Sequence, residues 1–211
     1  MTTGICGVIL AAGESSRMGR DKALLPWPKK AEGESQSVQP GGTLLSAAIR
    51  SLSQWCDLVL VVAGKNADAI QSIVYSQSAF LVCNLDPERG QFSSLQTGLG
   101  QVLDHGRDAA MITLVDRPPV RSETLAMLVQ SFSRRSHGTW AVVPEFEGKH
   151  GHPILVGREM IEAFLRAPVT SSARELEHAN QDRISYIPVL DPLAAANIDT
   201  PEDYLSLHCP P

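Results

Sequence analysis

The chain has 211 residues, 43% of them hydrophobic, and a formal net charge of −5. A chain of this length and composition can bury a full hydrophobic core as one domain. Its acidic balance argues against broad binding to nucleic acid or to anionic membranes, which requires an excess of Lys and Arg, so any anion must be bound locally.

The segments that would indicate another cell compartment are absent from the sequence. No apolar run approaches the roughly eighteen residues of a membrane span, and Met1–Gly4 contain no basic leader, so we expect a cytoplasmic protein. The four cysteines, Cys6, Cys56, Cys83 and Cys209, form no Cys-x-x-Cys pair. We expect reduced thiols rather than a zinc site or a disulfide framework, with Cys6 and Cys83 packed in strands.

Short apolar runs alternate with segments of helical spacing over most of the chain. The runs predict buried strands over Ile5–Ala11, Leu58–Ala63, Phe80–Cys83, Ala110–Val115 and Ala141–Pro144. Between them, helical spacing predicts helices around residues 44–55, 70–74, 95–103 and 125–132, the last with Ser122 as its N-cap. The polar stretch Pro28–Gly42 predicts a mobile surface loop. The alternation implies right-handed crossovers and a mainly parallel sheet with helices on both faces.

The pattern changes after Pro144. The segment "EFEGKHG" predicts a turn that joins "WAVVP" to "HPILV" and adds an antiparallel strand. Further helices are predicted over Arg158–Arg166 and Ser172–Ala179, and "ISYIPV" predicts a late strand. The last helix is expected to begin at "TPED", with Thr200 as N-cap and Asp203 closing a capping box.

The segment "GVILAAGESSRMGRDKALLPW", Gly7–Trp27, places glycines and cations directly after the first strand. A strand that leads into a glycine-rich turn presents backbone N–H groups that can hold phosphate oxygens. The spacing of Gly13 and Gly19 does not fit a P-loop, and the dinucleotide fingerprint Gly-x-Gly-x-x-Gly is absent. These residues alone also fit a plain strand-to-helix connection with solvated charges.

The stretch "LAAGESSRMGRDKALLPW" resembles the signature of the MobA-like nucleotidyltransferases. Four later pieces, "GQFSSLQTGL", "TLVDRPPV", "GKHGHPILV" and "NIDTPEDY", follow in the family's order, so the resemblance extends from Gly7 to Tyr204. Within the family the sequence is most similar to the molybdenum cofactor cytidylyltransferase group. The guanylyltransferase relatives usually read Leu-Ala-Gly-Gly, whereas this chain has Ala12, which favours CTP.

The resemblance implies a Rossmann-like three-layer α/β/α fold with a mainly parallel sheet and an antiparallel strand or hairpin in its C-terminal part. A single domain over residues 1–211 is expected, with nucleotide bound by about residues 1–120 and acceptor by about residues 121–211. The implied reaction transfers CMP from CTP to the terminal phosphate of molybdopterin and releases pyrophosphate. The doubly wound pattern independently predicts a ligand at the carboxyl edge of the sheet.

Nucleotidyl transfer depends on positioning and charge neutralisation rather than on a covalent intermediate. The resemblance implies that Arg17 clamps the β- and γ-phosphates and that Lys22 acts as a point charge near the α-phosphate. Each would otherwise be read as an ordinary surface cation. The base and ribose are expected against the backbone of Leu10, Ala11, Ala12 and Gly13.

Two aspartates are the expected metal ligands. Asp116 ends the apolar run "MITLV", and Asp199 lies in "NIDTP". Mg²⁺, with Mn²⁺ as an alternative, binds through one or two carboxylates plus substrate phosphates. Turn or capping roles remain open for both residues. The family usually has Gln or Met where this chain has Arg117, whose side chain either adds a cation near the site or points away.

The remaining candidate site residues come from two later motifs. In "ERGQFSSLQTGL", Gly90 would allow close approach to the base, and Ser94 would hydrogen-bond the cytosine edge or the ribose. Capping of the same helix by Ser93 and Ser94 is compatible with that role. The acceptor is expected at the "GHP" triplet, Gly151, His152 and Pro153, although a lone His near a turn is seldom catalytic.

Two other functions fit the same residues. The first is the same fold using GTP, or acting on another phosphorylated acceptor. The second is a non-catalytic protein that delivers cofactor to a molybdenum hydroxylase, which would also be a natural partner of the enzyme. Retention of Lys22, Asp116 and Asp199 favours catalysis over the delivery role.

Overall fold

A computed structural model describes residues 4–27 and 42–207 of the chain. The predicted surface loop Pro28–Gly42 lies outside these ranges apart from Gly42, and Cys209 lies outside them as well.

The strands of the described residues form one mixed sheet. They are β1 (Ile5–Leu10), β2 (Leu58–Ala63), β3 (Phe80–Cys83), β4 (Ala109–Leu114), β5 (Ala141–Phe146), β6 (Lys149–His150), β7 (Ile154–Gly157) and β8 (Ile184–Pro188). The order is β3-β2-β1-β4-β7-β5-β6, with β8 paired to β5. Strands β1 to β4 are parallel, whereas β7 runs antiparallel to both β4 and β5. The predicted antiparallel strand after Pro144 is therefore confirmed.

Helices cover both faces of this sheet. They are α1 (Leu44–Ser53), α2 (Ala67–Ser76), α3 (Gln91–Asp104), α4 (Ser122–Ser133), α5 (Arg158–Arg166), α6 (Ala173–Ala179) and α7 (Pro201–Ser206). Alternate strand residues point to opposite faces, so Ile9 packs in the core beneath α1, α2 and α4, and Val8 in the core beneath α3 and α5. The three-layer α/β/α prediction is confirmed.

Gly98 lets helix α3 approach the sheet closely. A Cβ atom at this position would lie 2.9 Å from side-chain carbons of both Val8 and Val62. Side-chain packing at this distance is not tolerated in a close-packed interior, so a larger residue would push α3 away from the strands. Since α3 begins at the site described below, its position against β1 and β2 also fixes the wall of that site.

A small third core packs the segment that follows β1 against the segment around α7. Met18, Leu25 and Trp27 pack there with Ile198 and Tyr204. The Tyr204 hydroxyl donates to the Pro26 carbonyl at 2.7 Å. Helix α7 begins as predicted, with a capping box between Thr200 and Asp203. This packing brings the segment before α7 against the glycine-rich segment after β1.

The prediction that Ser122 caps α4 is wrong. Ser122 is already the first helical residue, and Arg121 in the N-cap position makes no side-chain capping bond. The buried carboxylate of Asp191 takes over this role, because its Oδ2 accepts from the Arg121 N–H at 2.7 Å and from the Thr124 hydroxyl at 3.0 Å. A residue distant in sequence therefore anchors the start of this helix through the Arg121 N–H and the Thr124 side chain.

The described cysteines are free thiols, as predicted. Cys6 and Cys56 are buried, and burial raises the pKa of the Cys6 thiol to about 12, which leaves it unreactive. The predicted packing of Cys83 is wrong, because β3 is an edge strand and Cys83 is exposed on it. Within the described residues, no helix has the length and apolar character needed to cross a membrane.

Candidate active site

A cleft of about 520 Å³ opens at the carboxyl ends of β1 and β4, which we call the nucleotide cleft after the ligand that the sequence predicts there. This is where the strand order reverses, the usual ligand position in open α/β sheets. Seven predicted site residues line it: Leu10, Ala12, Gly13, Lys22, Gly90, Ser94 and Asp116. Ala11 is buried behind the lining, where its N–H donates to the Val62 carbonyl at 2.8 Å.

Lys22 is held rigidly in the wall of this cleft. It begins a short 3-10 helix, which is capped by the Asp21 carboxylate accepting from the Ala23 N–H at 2.9 Å. The Lys22 side chain is only 9% exposed, and its Nζ lies 3.2 Å from Asp116 Oδ2 and 3.0 Å from Asp199 Oδ1. The cation and both predicted metal carboxylates therefore meet at one point.

Backbone pairing brings the two carboxylates together. The Ile198 N–H donates to the Asp116 carbonyl at 2.9 Å, which ties the segment before α7 to the end of β4. The Asn197 amide then donates to Asp199 Oδ2 at 2.7 Å, and the Asp199 N–H donates to Asp203 Oδ2 at 2.9 Å. Asn197 is a supporting residue that the sequence reasoning missed, although it belongs to the "NIDTP" motif.

Arg17 takes a different position from the one expected. Its side chain is 68% exposed, pairs with Asp199 Oδ1 through Nη2 at 3.1 Å, and does not line the nucleotide cleft. A phosphate clamp by Arg17 would require the guanidinium to leave Asp199.

The carboxylates fit a hard divalent cation. Asp116 Oδ1 is buried and has no hydrogen-bond partner among the described residues, and Asp116 Oδ2 and Asp199 Oδ1 both contact Lys22 Nζ, beside which a cation would bind. The part of the chain that the structure describes contains no cluster of three or more His, Cys, Asp or Glu side chains suited to a metal. Two carboxylates completed by ligand phosphates are the pattern typical of Mg²⁺ and Mn²⁺.

The opposite wall is organised by Asn84, which the sequence reasoning missed. This buried amide donates to Ser93 Oγ at 2.9 Å and to Ser94 Oγ at 3.0 Å. Ser93 in turn donates to the Gly90 carbonyl at 2.8 Å, so neither serine caps the free N–H groups of α3. Ser94 accepts from Asn84, which leaves its own O–H available to a ligand. A polar residue directly after the strand predicted over Phe80–Cys83 was the available signal.

An ion-pair group forms the rim of the nucleotide cleft. Lys65, which follows β2, lies 3.0 Å from Glu14 Oε1 and also pairs with Glu88. The two carboxylates raise the pKa of Lys65 to about 12. No sequence motif predicts this group, because Glu14, Lys65 and Glu88 follow three different strands.

A second cleft of about 740 Å³ adjoins the first, and we call it the acceptor cleft because it includes His152 of the predicted acceptor motif. The two share Leu10, Gly90, Gln91 and Leu114 in their linings. The acceptor cleft extends towards α6 and includes His152 and Arg117. Two ligands bound in these clefts would therefore meet above the ends of β1 and β4.

Of the "GHP" triplet, only His152 lines the acceptor cleft. Burial, helped by the nearby positive charge of Arg117, lowers the pKa of His152 to about 4, so the imidazole is neutral at physiological pH. Gly151 has a packing role, because a Cβ atom there would lie 2.2 Å from the Ala194 carbonyl oxygen. Pro153 lies outside the lining of this cleft.

The comparison with known families agrees with this arrangement. The family model described as "MobA-like NTP transferase domain" matches residues 7–184. The chain belongs to the MobA-like NTP transferase family.

This MobA-like transferase is similar in sequence to relatives with two different names. It is 28% identical over 204 residues to the molybdenum cofactor cytidylyltransferase of Escherichia coli K12, covering 94% of this chain and 93% of the relative. It is 32% identical over 160 residues to a probable molybdenum cofactor guanylyltransferase of Mycobacterium tuberculosis H37Ra, covering 74% of this chain and 69% of the relative.

Solved structures share the fold of this MobA-like transferase over nearly its full length. The crystal structure of Rv0371c from Mycobacterium tuberculosis H37Rv has a TM-score of 0.78 at 26% identity and covers 97% of both chains. A complex of Rv0371c with manganese has a TM-score of 0.73 at 24% identity, covering 96% of this chain and 97% of the other.

Proposed function

We propose that this MobA-like transferase moves CMP from CTP to the terminal phosphate of molybdopterin and releases pyrophosphate, with Mg²⁺ or Mn²⁺ as its metal. The observation that carries the proposal is the meeting of Lys22, Asp116 and Asp199 at the edge of the nucleotide cleft. A phosphate-rich donor needs positive charge there, which Lys22 and a divalent cation held by the two carboxylates would supply.

In this reaction an oxygen of the acceptor phosphate attacks the α-phosphorus of CTP. A new P–O bond forms, and the bond to the bridging oxygen breaks, so that pyrophosphate leaves with the electron pair. Asp116 and Asp199 would hold the divalent cation, which when bound supplies charge neutralisation at the phosphates. Lys22 adds a fixed positive charge beside them, and Arg17 can turn from Asp199 to the outer phosphates. The acceptor phosphate is already anionic, so no general base is required.

Two observations favour CTP over GTP. Ala12 lines the nucleotide cleft, where a glycine would leave more room for a larger base. A relative named as a cytidylyltransferase is 28% identical over 94% of this chain, whereas a probable guanylyltransferase of Rhodopirellula baltica matches the same share at 25% identity. The guanylyltransferase names of other relatives make GTP use the second candidate.

Pyrophosphate release tests the proposal. The purified protein is incubated with Mg²⁺ and CTP, GTP, ATP or UTP, each with and without molybdopterin. We expect release only when CTP and molybdopterin are both present. A clear preference for GTP would show that the protein transfers GMP rather than CMP. Failure to release pyrophosphate with any nucleotide in the presence of molybdopterin would contradict catalysis on this acceptor. The matched variant Ala12→Gly, which enlarges the cleft, is expected to gain use of GTP.

A further inference from the structure

The two consecutive residues at the end of β4 face different clefts. Asp116 lines the nucleotide cleft, whereas Arg117 lines the acceptor cleft together with His152. The clefts meet at Leu10 and Leu114, which belong to both linings. A carboxylate on the donor side and a guanidinium on the acceptor side therefore stand on either side of the point where the two substrates must react.

Most of the hydrogen-bonding capacity of Arg117 is uncommitted. Nη1 donates to the Ala196 carbonyl at 3.0 Å, and Nε is buried with no hydrogen-bond partner among the described residues. Within those residues no carboxylate lies within ion-pair distance of Arg117. Arg117 and His152 line the same cleft, and the charge of Arg117 adds to burial in lowering the pKa of His152.

The two lysines that line the nucleotide cleft are already paired with carboxylates. Lys22 contacts Asp116 and Asp199, and Lys65 contacts two glutamates. In the acceptor cleft, Arg89 is exposed and pairs with Asp86 at 3.9 Å, and Arg174 lies on the exposed face of α6, where water screens its charge. Arg117 is therefore the cation whose position and free donors best suit an anion entering from the acceptor side.

We propose that Arg117 binds the phosphate of the acceptor and orients it towards the α-phosphorus. A part-buried guanidinium without a counter-ion is costly, and a phosphate monoester supplies the missing charge with two acceptor oxygens in the right plane. The inference rests on the proposed function only in that the acceptor carries a phosphate.

A structural contribution of Arg117 must be distinguished from its proposed binding of the acceptor phosphate. The bond from Arg117 to Ala196 also steadies the segment that carries Asp199. If that support were the main contribution, loss of Arg117 would weaken metal binding rather than acceptor binding.

The test compares Arg117→Gln and Arg117→Lys with the wild type and with Arg134→Gln, an exposed control with the same charge change outside both clefts. KM for molybdopterin is measured at saturating CTP, and the Kd values for Mn²⁺ and CTP are measured without acceptor. We expect R117Q to raise the acceptor KM by about 10- to 100-fold and R117K by less, with Mn²⁺ and CTP binding unchanged in both. R134Q should match the wild type.

Two results would overturn the inference: an unchanged acceptor KM in R117Q, or a loss of Mn²⁺ affinity as large as the rise in KM. If the wild type releases no pyrophosphate with molybdopterin, the proposed acceptor is wrong, and inorganic phosphate becomes the probe for Arg117. Phosphate binding, followed by ³¹P line width, should then be about tenfold weaker or more in R117Q than in the wild type. Equal binding would overturn the inference independently of the proposed function.

Discussion

Replacing Lys22 by Met removes the charge between two carboxylates while retaining most of the side-chain volume. Loss of one partner of a fully buried ion pair costs about 3–5 kcal/mol. The carboxylates of Asp116 and Asp199 keep 23% and 27% exposure, so water relieves part of their repulsion and we expect about 1–2 kcal/mol. For a chain of this size, that corresponds to a fall in Tm of about 2–8 °C.

A divalent cation should reverse this loss. The Lys22 ammonium opposes any cation that Asp116 and Asp199 bind, so K22M should bind Mn²⁺ about tenfold more tightly, or about 1.4 kcal/mol. It should nevertheless lose about 10²- to 10³-fold in turnover, because the fixed charge beside the phosphates is gone.

The assay is thermal unfolding by circular dichroism in EDTA and in Mn²⁺, with Mn²⁺ titration of the folded protein. Lys65→Met is the control, since Lys65 is an exposed cation at the rim of the same cleft. It should change neither Tm in EDTA nor the Mn²⁺-induced shift appreciably. Equal Tm values for K22M and the wild type in EDTA, with equal shifts in Mn²⁺, would refute the reasoning.

Three further predictions concern stability. Gly98→Ala should cost about 1–3 kcal/mol in urea unfolding through its contacts with β1 and β2, whereas Gly100→Ala, with open space around it, should be neutral or stabilising. Asp191→Ala should lower the free energy of unfolding by about 2–4 kcal/mol, because the Arg121 N–H, the Thr124 hydroxyl and the Leu193 N–H all lose their acceptor. Asp191→Asn should cost less. The pKa of His152 is about 4 in the folded protein and 6.5 in the unfolded chain. Between these two pH values the unfolded chain therefore binds more protons, so the free energy of unfolding falls as the pH drops from 6.5 towards 4. Between pH 7 and pH 5, His152→Gln should lose about 1–2 kcal/mol less than the wild type, and equal losses would contradict the assignment.

The fold was predictable because its core follows simple periodicity. Buried runs such as Leu58–Ala63 coincide with strands, and α5 has the predicted bounds Arg158–Arg166. The errors arise where a distant contact decides the local structure. Ser122 has the chemistry of an N-cap, but Asp191 reaches the helix start from far along the chain. Cys83 is exposed because strand order, which periodicity does not specify, places β3 at the sheet edge.

The site was predictable where family motifs carry its residues. Lys22, Asp116 and Asp199 come from three separate motifs and meet within hydrogen-bonding distance. Asn84 was missed because it belongs to no motif and acts only through its contacts with the serines of α3. The sequence did not predict where the Arg117 side chain lies, because its position depends on a hydrogen bond to the Ala196 carbonyl, which is distant in sequence.

The most direct test of nucleotidyl transfer uses CTP radiolabelled at the α-phosphate, with molybdopterin, Mg²⁺ and the wild type, Asp116→Asn or Asp199→Asn. We expect the wild type to place one label on the pterin product for each pyrophosphate released. Both variants should remain folded by circular dichroism and be slower by about 10²-fold or more. Label recovered only as free CMP, or wild-type rates in D116N and D199N, would contradict the central claim that these carboxylates serve transfer to the acceptor.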